Sequence, residues 1–287
     1  MTYTTLISTL ELDDHLDDPD WAIIDCRSQL KDAEYGRRAY AQAHIAAAIF
    51  ADLKDDLSGP IIPGQTGRHP LPLIEFAAQK FSAWGIAANT QVVAYDEAGG
   101  ALAAARLWWL LRWLGHDRVA VLDGGWTKWQ KENRSVRSGI EVRSARVFTP
   151  RVRSDLVLNT DDVLRSIDEP AFRLLDARSA DRFRGENEII DPVAGHIPGA
   201  ISAPYSQNLD RGSVFKSKEE LRAHYAALLG DVSAERSAAY CGSGVTAAHT
   251  ILAMMQAGLG EAKLYAGSWS EWITNPDRPI RTGQEND

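Results

Sequence analysis

Short apolar runs alternate with stretches of helical spacing along the whole chain. In the first half, WAIID (21–25), QVVAY (91–95) and RVAVLD (118–123) are compact apolar runs that predict buried strands. LIEFAAQKFSAW (73–84) and AARLWWLLRWLG (104–115) carry apolar stripes and predict helices. The second half repeats the alternation: FRLLD (172–176), SAAY (237–240) and AKLYA (262–266) as strands, EELRAHYAALL (219–229) and AAHTILAMMQAG (247–258) as helices. Strands of this kind flanked by helices imply an α/β fold, each domain a mainly parallel sheet with helices on both faces. Ligands of such sheets gather at the carboxyl ends of the strands.

The two halves are copies. WAIIDCRS (21–28) matches FRLLDARS (172–179), AQAHIAAAIF (41–50) matches VAGHIPGAIS (193–202), and the segment 92–129 matches 238–272. The matches keep their order, so the chain divides into two homologous domains, 1–138 and 156–287. GIEVRSARVFTPRVRSD (139–155) has no clear period and joins them as a linker.

Composition narrows the function. The 287 residues are 45% hydrophobic and 24% charged, and no apolar run reaches the length of a membrane span. The N-terminus is acidic and has no signal-peptide pattern, so a cytoplasmic location is expected. A net charge of -8 argues against nucleic acid or an anionic membrane as the main partner, but leaves room for a small anionic ligand. Cys26 and Cys241 are the only two cysteines, which excludes a disulfide framework and a four-cysteine metal site. Both are expected as free thiols.

Cys241 follows the strand SAAY directly and opens the loop Cys241-Gly242-Ser243-Gly244-Val245-Thr246 before a helix. Glycines at 242 and 244 let the backbone curl with positive φ, turning successive N–H groups into one concavity at the helix N-terminus. The unpaired donors and the helix dipole there favour an anion, and such surroundings favour the thiolate, the nucleophilic form of cysteine. Cys26 has no such turn and aligns with Ala177, so it is assigned to structure. Cys241 aligns with Asp96 in the first copy.

Two other chemistries fit parts of this loop. Gly242-x-Gly244-x-x-Ala247 matches a dinucleotide fingerprint, but the acidic residue that should end the next strand is missing, Glu261 lying before it. A cysteine phosphatase needs an arginine six residues after its cysteine, where this chain has Ala247.

The tandem copies, the Asp-x-Arg elements, Gly-His-Ile-Pro-Gly-Ala (195–200), the loop Cys-Gly-Ser-Gly-Val-Thr-Ala and the Gly-Gly-Trp and Gly-Ser-Trp elements together resemble the two-domain rhodanese-type sulfurtransferases. The resemblance spans nearly the whole chain. It implies an inactive first domain and a catalytic second domain whose Cys241 carries a persulfide. The uncharged loop resembles that of 3-mercaptopyruvate sulfurtransferases, and thiosulfate is the alternative donor. A non-catalytic rhodanese-like binding module is the alternative of another class.

The same resemblance implies further roles. Ser243 helps to activate the thiol or to protonate the leaving group. Gly242, Ser243, Gly244, Val245 and Thr246 bind the donor, and Arg182 holds its anionic end. His69, in GRHPLP, joins Ser243 and an aspartate in a triad, although the aspartate position holds Lys54, with Asp52, Asp55 and Asp56 nearby. A second donor-binding arginine is replaced by Asp191. The acceptor is cyanide, a thiol or a reduced thioredoxin-like protein, and no metal or cofactor is implied. Arg178, His44 and His196 recur or align between the copies and are assigned to the fold, and Trp108, Trp109 and Trp113 to core or interface.

Overall fold

The computed structural model describes residues 2–283, so the last four residues of the expected second domain, 284–287, lie outside the described residues. The chain forms two compact units. The first comprises the chain up to Gly59, Leu71–Arg153 and Asp210–Phe215; the second comprises Pro60–Pro70, Ser154–Leu209 and the chain from Lys216 onward.

In the first unit, β1 (Leu6–Ile7), β2 (Trp21–Asp25), β3 (Ile49–Phe50), β4 (Gln91–Tyr95) and β5 (Val119–Leu122) form one parallel sheet in the order β1-β5-β4-β2-β3. Every residue of β2 and β4 is buried, which is why these segments are continuously apolar rather than alternating. The helices α1 (Ile74–Ala83), α2 (Ala104–Trp113) and α3 (Gly125–Lys131) flank the sheet. All ten residues of α2 are buried, and the Trp109 and Trp113 rings stack with centroids 5.8 Å apart. Trp108 also donates its indole N–H to the Thr4 carbonyl at 2.9 Å, so this tryptophan cluster is core. The expected linker is extended backbone pinned to this unit up to Arg153. The N–H groups of Gly139, Arg146, Arg151 and Arg153 donate to the carbonyls of Ala41, Ser82, Leu114 and Trp113.

The second unit repeats the topology. Its strands β6 (Val157–Leu158), β7 (Arg173–Asp176), β8 (Ala200–Ser202), β9 (Ser237–Tyr240) and β10 (Lys263–Tyr265) are parallel in the order β6-β10-β9-β7-β8. Its helices include α4 (Ala180–Arg184), α5 (Lys218–Leu229), α6 (Thr246–Gln256) and α7 (Ser268–Trp272).

The repeated sequence elements do the same physical work in both units. Arg27 and Arg178 lie buried, fork onto Asp25 and Asp176, and donate onward to the carbonyls of Ala43 (2.6 Å) and Gly195 (2.7 Å). His44 and His196 are fully buried, pair through Nδ1 with the carbonyls of Tyr40 and Phe183, and stack on those same rings. These bonds offset part of the cost of burying a charge or an imidazole, which gives a physical reason for the recurrence of these residues, although His44 Nε2 and Arg178 Nη1 are buried without a hydrogen-bond partner among the described residues.

Two segments depart from the order of the sequence. Asp210–Phe215 lies in the second copy along the chain but belongs to the first compact unit. Pro60–Pro70 lies in the first copy along the chain but belongs to the second compact unit, where the Arg68 N–H donates to Ser270 Oγ at 3.0 Å.

Candidate active site

Strand β9 ends at Tyr240, and Cys241 follows as the first residue of the loop, only 3% exposed. The start of α7 clamps it. The Cys241 N–H donates to Ser268 Oγ at 3.1 Å, while the Trp269 and Ser270 N–H groups donate to the carbonyls of Cys241 (3.0 Å) and Gly242 (2.9 Å). Ser268 itself stands in the left-handed region at φ 55°, a conformation that costs a side-chain-bearing residue about 1 kcal/mol. Its counterpart in the first copy is Gly125, at φ 53°. The serine accepts the strain that glycine avoids, and its hydroxyl is the group that receives Cys241.

The two loop glycines act differently. Gly244 has φ 77°, and a Cβ there would lie 2.3 Å from the Ala266 carbonyl oxygen, so both backbone and space require glycine. Gly242 does not adopt positive φ, contrary to the expectation from sequence. It is small for another reason: a Cβ there would lie 2.8 Å from Arg68 Nη2 and 3.7–3.8 Å from the Arg182 guanidinium nitrogens. Val245 caps α6 without a side-chain hydrogen bond, and Thr246 opens the helix. No side chain caps the first turn of this helix, and the Ala248 N–H donates to the Val245 carbonyl at 3.2 Å.

The sister loop encloses a carboxylate. Asp96 is fully buried, and its carboxylate accepts the N–H groups of Ala98, Gly100, Leu102 and Ala104 at 2.8–3.2 Å. Burial raises this carboxyl above its ordinary value even against those four donors. A loop of this build has enough N–H groups to enclose an anion.

Around Cys241, His69 Nδ1 lies 2.8 Å from Ser243 Oγ. Arg182, on α4, donates from Nε to Glu188 Oε2 and from Nη2 to Asp191 Oδ2, both at 2.9 Å. Arg68 Nη1 bonds the other Asp191 oxygen, and Arg68 Nε is buried with no partner among the described residues. The structure thus brings together Cys241, Gly242, Ser243, His69 and Arg182. It adds Arg68, Asp191 and Ser268, to which the sequence had given no role. Arg68 carried one signal, its position beside His69 in GRHPLP. In the first unit, Asp52 accepts the backbone N–H groups of Lys54 and Asp55, and Asp56 accepts the Lys80 ammonium at 2.5 Å.

The second cysteine lies in the first unit. Cys26 is fully buried at the end of β2, and burial pushes its thiol well up, with Asp25, Asp96 and Asp56 adding like-sign repulsion to the thiolate.

Comparisons with known proteins bear on the family of the chain. A family model for the rhodanese-like domain matches residues 8–132 and 159–275. The probable 3-mercaptopyruvate sulfurtransferase of Pseudomonas aeruginosa is 45% identical over 99% of this chain and 100% of its own. The putative thiosulfate sulfurtransferase SseB of Mycobacterium tuberculosis is 37% identical over 91% of each chain. Among solved structures, 3-mercaptopyruvate sulfurtransferase from Leishmania major superposes with a TM-score of 0.84 at 33% identity, covering 96% of this chain and 75% of that one. With the domain matched twice and the likeness running along its whole length, the chain belongs to the rhodanese-like family as a two-domain sulfurtransferase.

Proposed function

We propose that Cys241 takes sulfur from 3-mercaptopyruvate and passes it to a thiophilic acceptor in a ping-pong reaction. The Cys241 thiolate attacks the donor sulfur. An S–S bond forms, the C–S bond breaks, and the electron pair leaves on carbon as the enolate of pyruvate, which takes a proton. The product is a Cys241 persulfide, its charge stabilised by the amides of Gly242 to Thr246. Arg182 and Arg68 hold the donor's carboxylate, since planar guanidinium forks suit that group. Cyanide, a thiol or a reduced thioredoxin-like protein then removes the outer sulfur, in the cytoplasm. The scheme uses no metal or organic cofactor. The first domain, with Asp96 in place of a nucleophile, is inactive.

The observation that carries this reading is the 2.8 Å pairing of Ser243 with His69. An enolate leaving group needs a proton and sulfite does not, so a hydroxyl backed by an imidazole beside the cysteine suits a carbon leaving group. Thiosulfate is the second reading, favoured by the two guanidiniums over Gly242. In that case the S–S bond of the donor breaks and sulfite departs with the pair. Measurement of kcat/KM for both donors decides between them. Ser243→Ala and His69→Asn should slow the mercaptopyruvate reaction by about 10²-fold or more and the thiosulfate reaction far less. Cys241→Ser should abolish transfer from both, and substantial residual activity would refute the scheme.

A further inference from the structure

Asp191 lies where no donor-site carboxylate is needed by the reaction, yet its side chain is 1% exposed and bridges two guanidiniums through separate oxygens. Arg182 Nη2 donates to Oδ2 at 2.9 Å and Arg68 Nη1 donates to Oδ1. Arg68 turns its other terminal nitrogen, Nη2, toward Gly242, the residue after Cys241, and both terminal nitrogens of Arg182 lie 3.7–3.8 Å from where a Gly242 Cβ would stand. The third arginine of the cluster, Arg178, is committed to Asp176, and Glu188 receives Arg182 Nε. Three guanidiniums thus face three carboxylates, Asp176, Glu188 and Asp191, with a formal sum of zero. The site offers directed N–H donors with little excess positive charge.

We propose that Asp191 determines donor specificity: by bridging Arg68 and Arg182 it fixes their free edges over Gly242 and reduces the charge of that pair from two to one. Such a pair suits a donor bearing one carboxylate better than a doubly charged donor such as thiosulfate. The inference rests on the reading that these arginines hold an anionic donor. Without the Asp191 charge, the second charge on thiosulfate would meet an additional uncompensated guanidinium at close range, where Coulomb energies are large.

The test is the ratio of kcat/KM for thiosulfate to that for mercaptopyruvate, measured for the parent, Asp191→Asn, Arg68→Gln and the double variant. Asp191→Asn should raise the ratio about tenfold at low ionic strength, with the gain shrinking as salt is added. Arg68→Gln should lower the ratio, and the double variant should return toward the parent because the pair charge is restored. A ratio that stays within about twofold of the parent in folded Asp191→Asn overturns the inference. Should Asp191→Asn fail to fold, an unchanged ratio in Arg68→Gln overturns it instead. Intact mass of the parent separates the two levels of the argument. Gain of one sulfur atom on Cys241 with an unmoved ratio sinks only the role of Asp191, whereas no gain from either donor sinks the donor reading as well.

Discussion

The Ser268 hydroxyl accepts the Cys241 N–H at 3.1 Å and donates to the Tyr265 carbonyl at 2.9 Å, from a backbone held at φ 55°. The equivalent turn in the first domain uses Gly125 at φ 53° and keeps the matching backbone bond, Trp126 N–H to the Asp96 carbonyl at 2.8 Å, but has no hydroxyl at that position. A strained serine thus stands beside Cys241 where the first copy has a relaxed glycine.

Two substitutions separate strain from hydrogen bonding at Ser268. Ser268→Ala keeps the strain and removes the oxygen, leaving the buried Cys241 N–H without its acceptor at a cost of about 1–3 kcal/mol. Ser268→Gly removes the same oxygen but relieves the strain, so it should be more stable than the alanine variant by about 1 kcal/mol. Urea denaturation measures that difference. Sulfur transfer should fall equally in both variants, because both lose the group that positions Cys241. A transfer rate that follows stability would instead assign Ser268 to the fold alone.

Gly242 and Gly244 should fail in different ways when replaced by alanine. At Gly244 the new Cβ meets the Ala266 backbone carbonyl at 2.3 Å in a left-handed residue, and the expected loss of stability is about 2–5 kcal/mol. At Gly242 it meets the end of the Arg68 side chain, which can move. The fold should survive with a change below about 1.5 kcal/mol, while KM for the donor rises several-fold. Thermal unfolding and steady-state kinetics on the two variants test the contrast.

The two thiols should differ in reactivity. Cys26 is fully buried and its thiol is pushed well up by burial and nearby carboxylates, so iodoacetamide near neutral pH should leave it unmodified in the native protein. Cys241 should be alkylated rapidly, and more slowly after the persulfide is formed. Peptide mass mapping over time reads both sites in one experiment. Equal labelling of the two cysteines would contradict the assignment of the nucleophile.

Acid should loosen the arginine cluster through Glu188. Burial alone would raise this carboxyl, but the Arg182 hydrogen bond, the Asp191 and Ile190 N–H groups and the Arg182 charge outweigh it and hold it below its ordinary value of 4.5. A carboxyl lowered in the folded state contributes stability that is present above the unfolded value and is lost as pH falls through the folded one. Glu188→Gln should therefore lower Tm at neutral pH and narrow its gap from the parent as pH falls below about 4. A gap that is constant with pH would show that the Glu188 charge contributes nothing.

Much of the fold was legible in the sequence, since a strand buried on both faces must be apolar throughout and a flanking helix must carry a stripe. WAIID and QVVAY became β2 and β4 with unchanged limits, and SAAY became β9. The internal repeat extended that reading, because two copies of one pattern fold to one topology, and both sheets have the same strand order. The position of Cys241 at a strand end before a glycine-spaced loop was also a local matter, as was the contrast with Asp96. The linker 139–155 was not legible as part of the first unit, because extended backbone held by its N–H groups leaves no periodic signal.

By itself, then, the sequence determined the architecture, the repeat and the cysteine loop, since each follows from neighbours along the chain. Only the tertiary structure decided which charges surround that loop. Arg68 and Asp191 are 123 residues apart, and His69 and Ser243 are 174 apart. Their pairing depends on Pro60–Pro70 joining the second unit, and no local periodicity encodes that. The same holds for Gly242, whose smallness answers to an arginine distant in sequence, and for Ser268, whose strain makes sense only once Cys241 lies beside it.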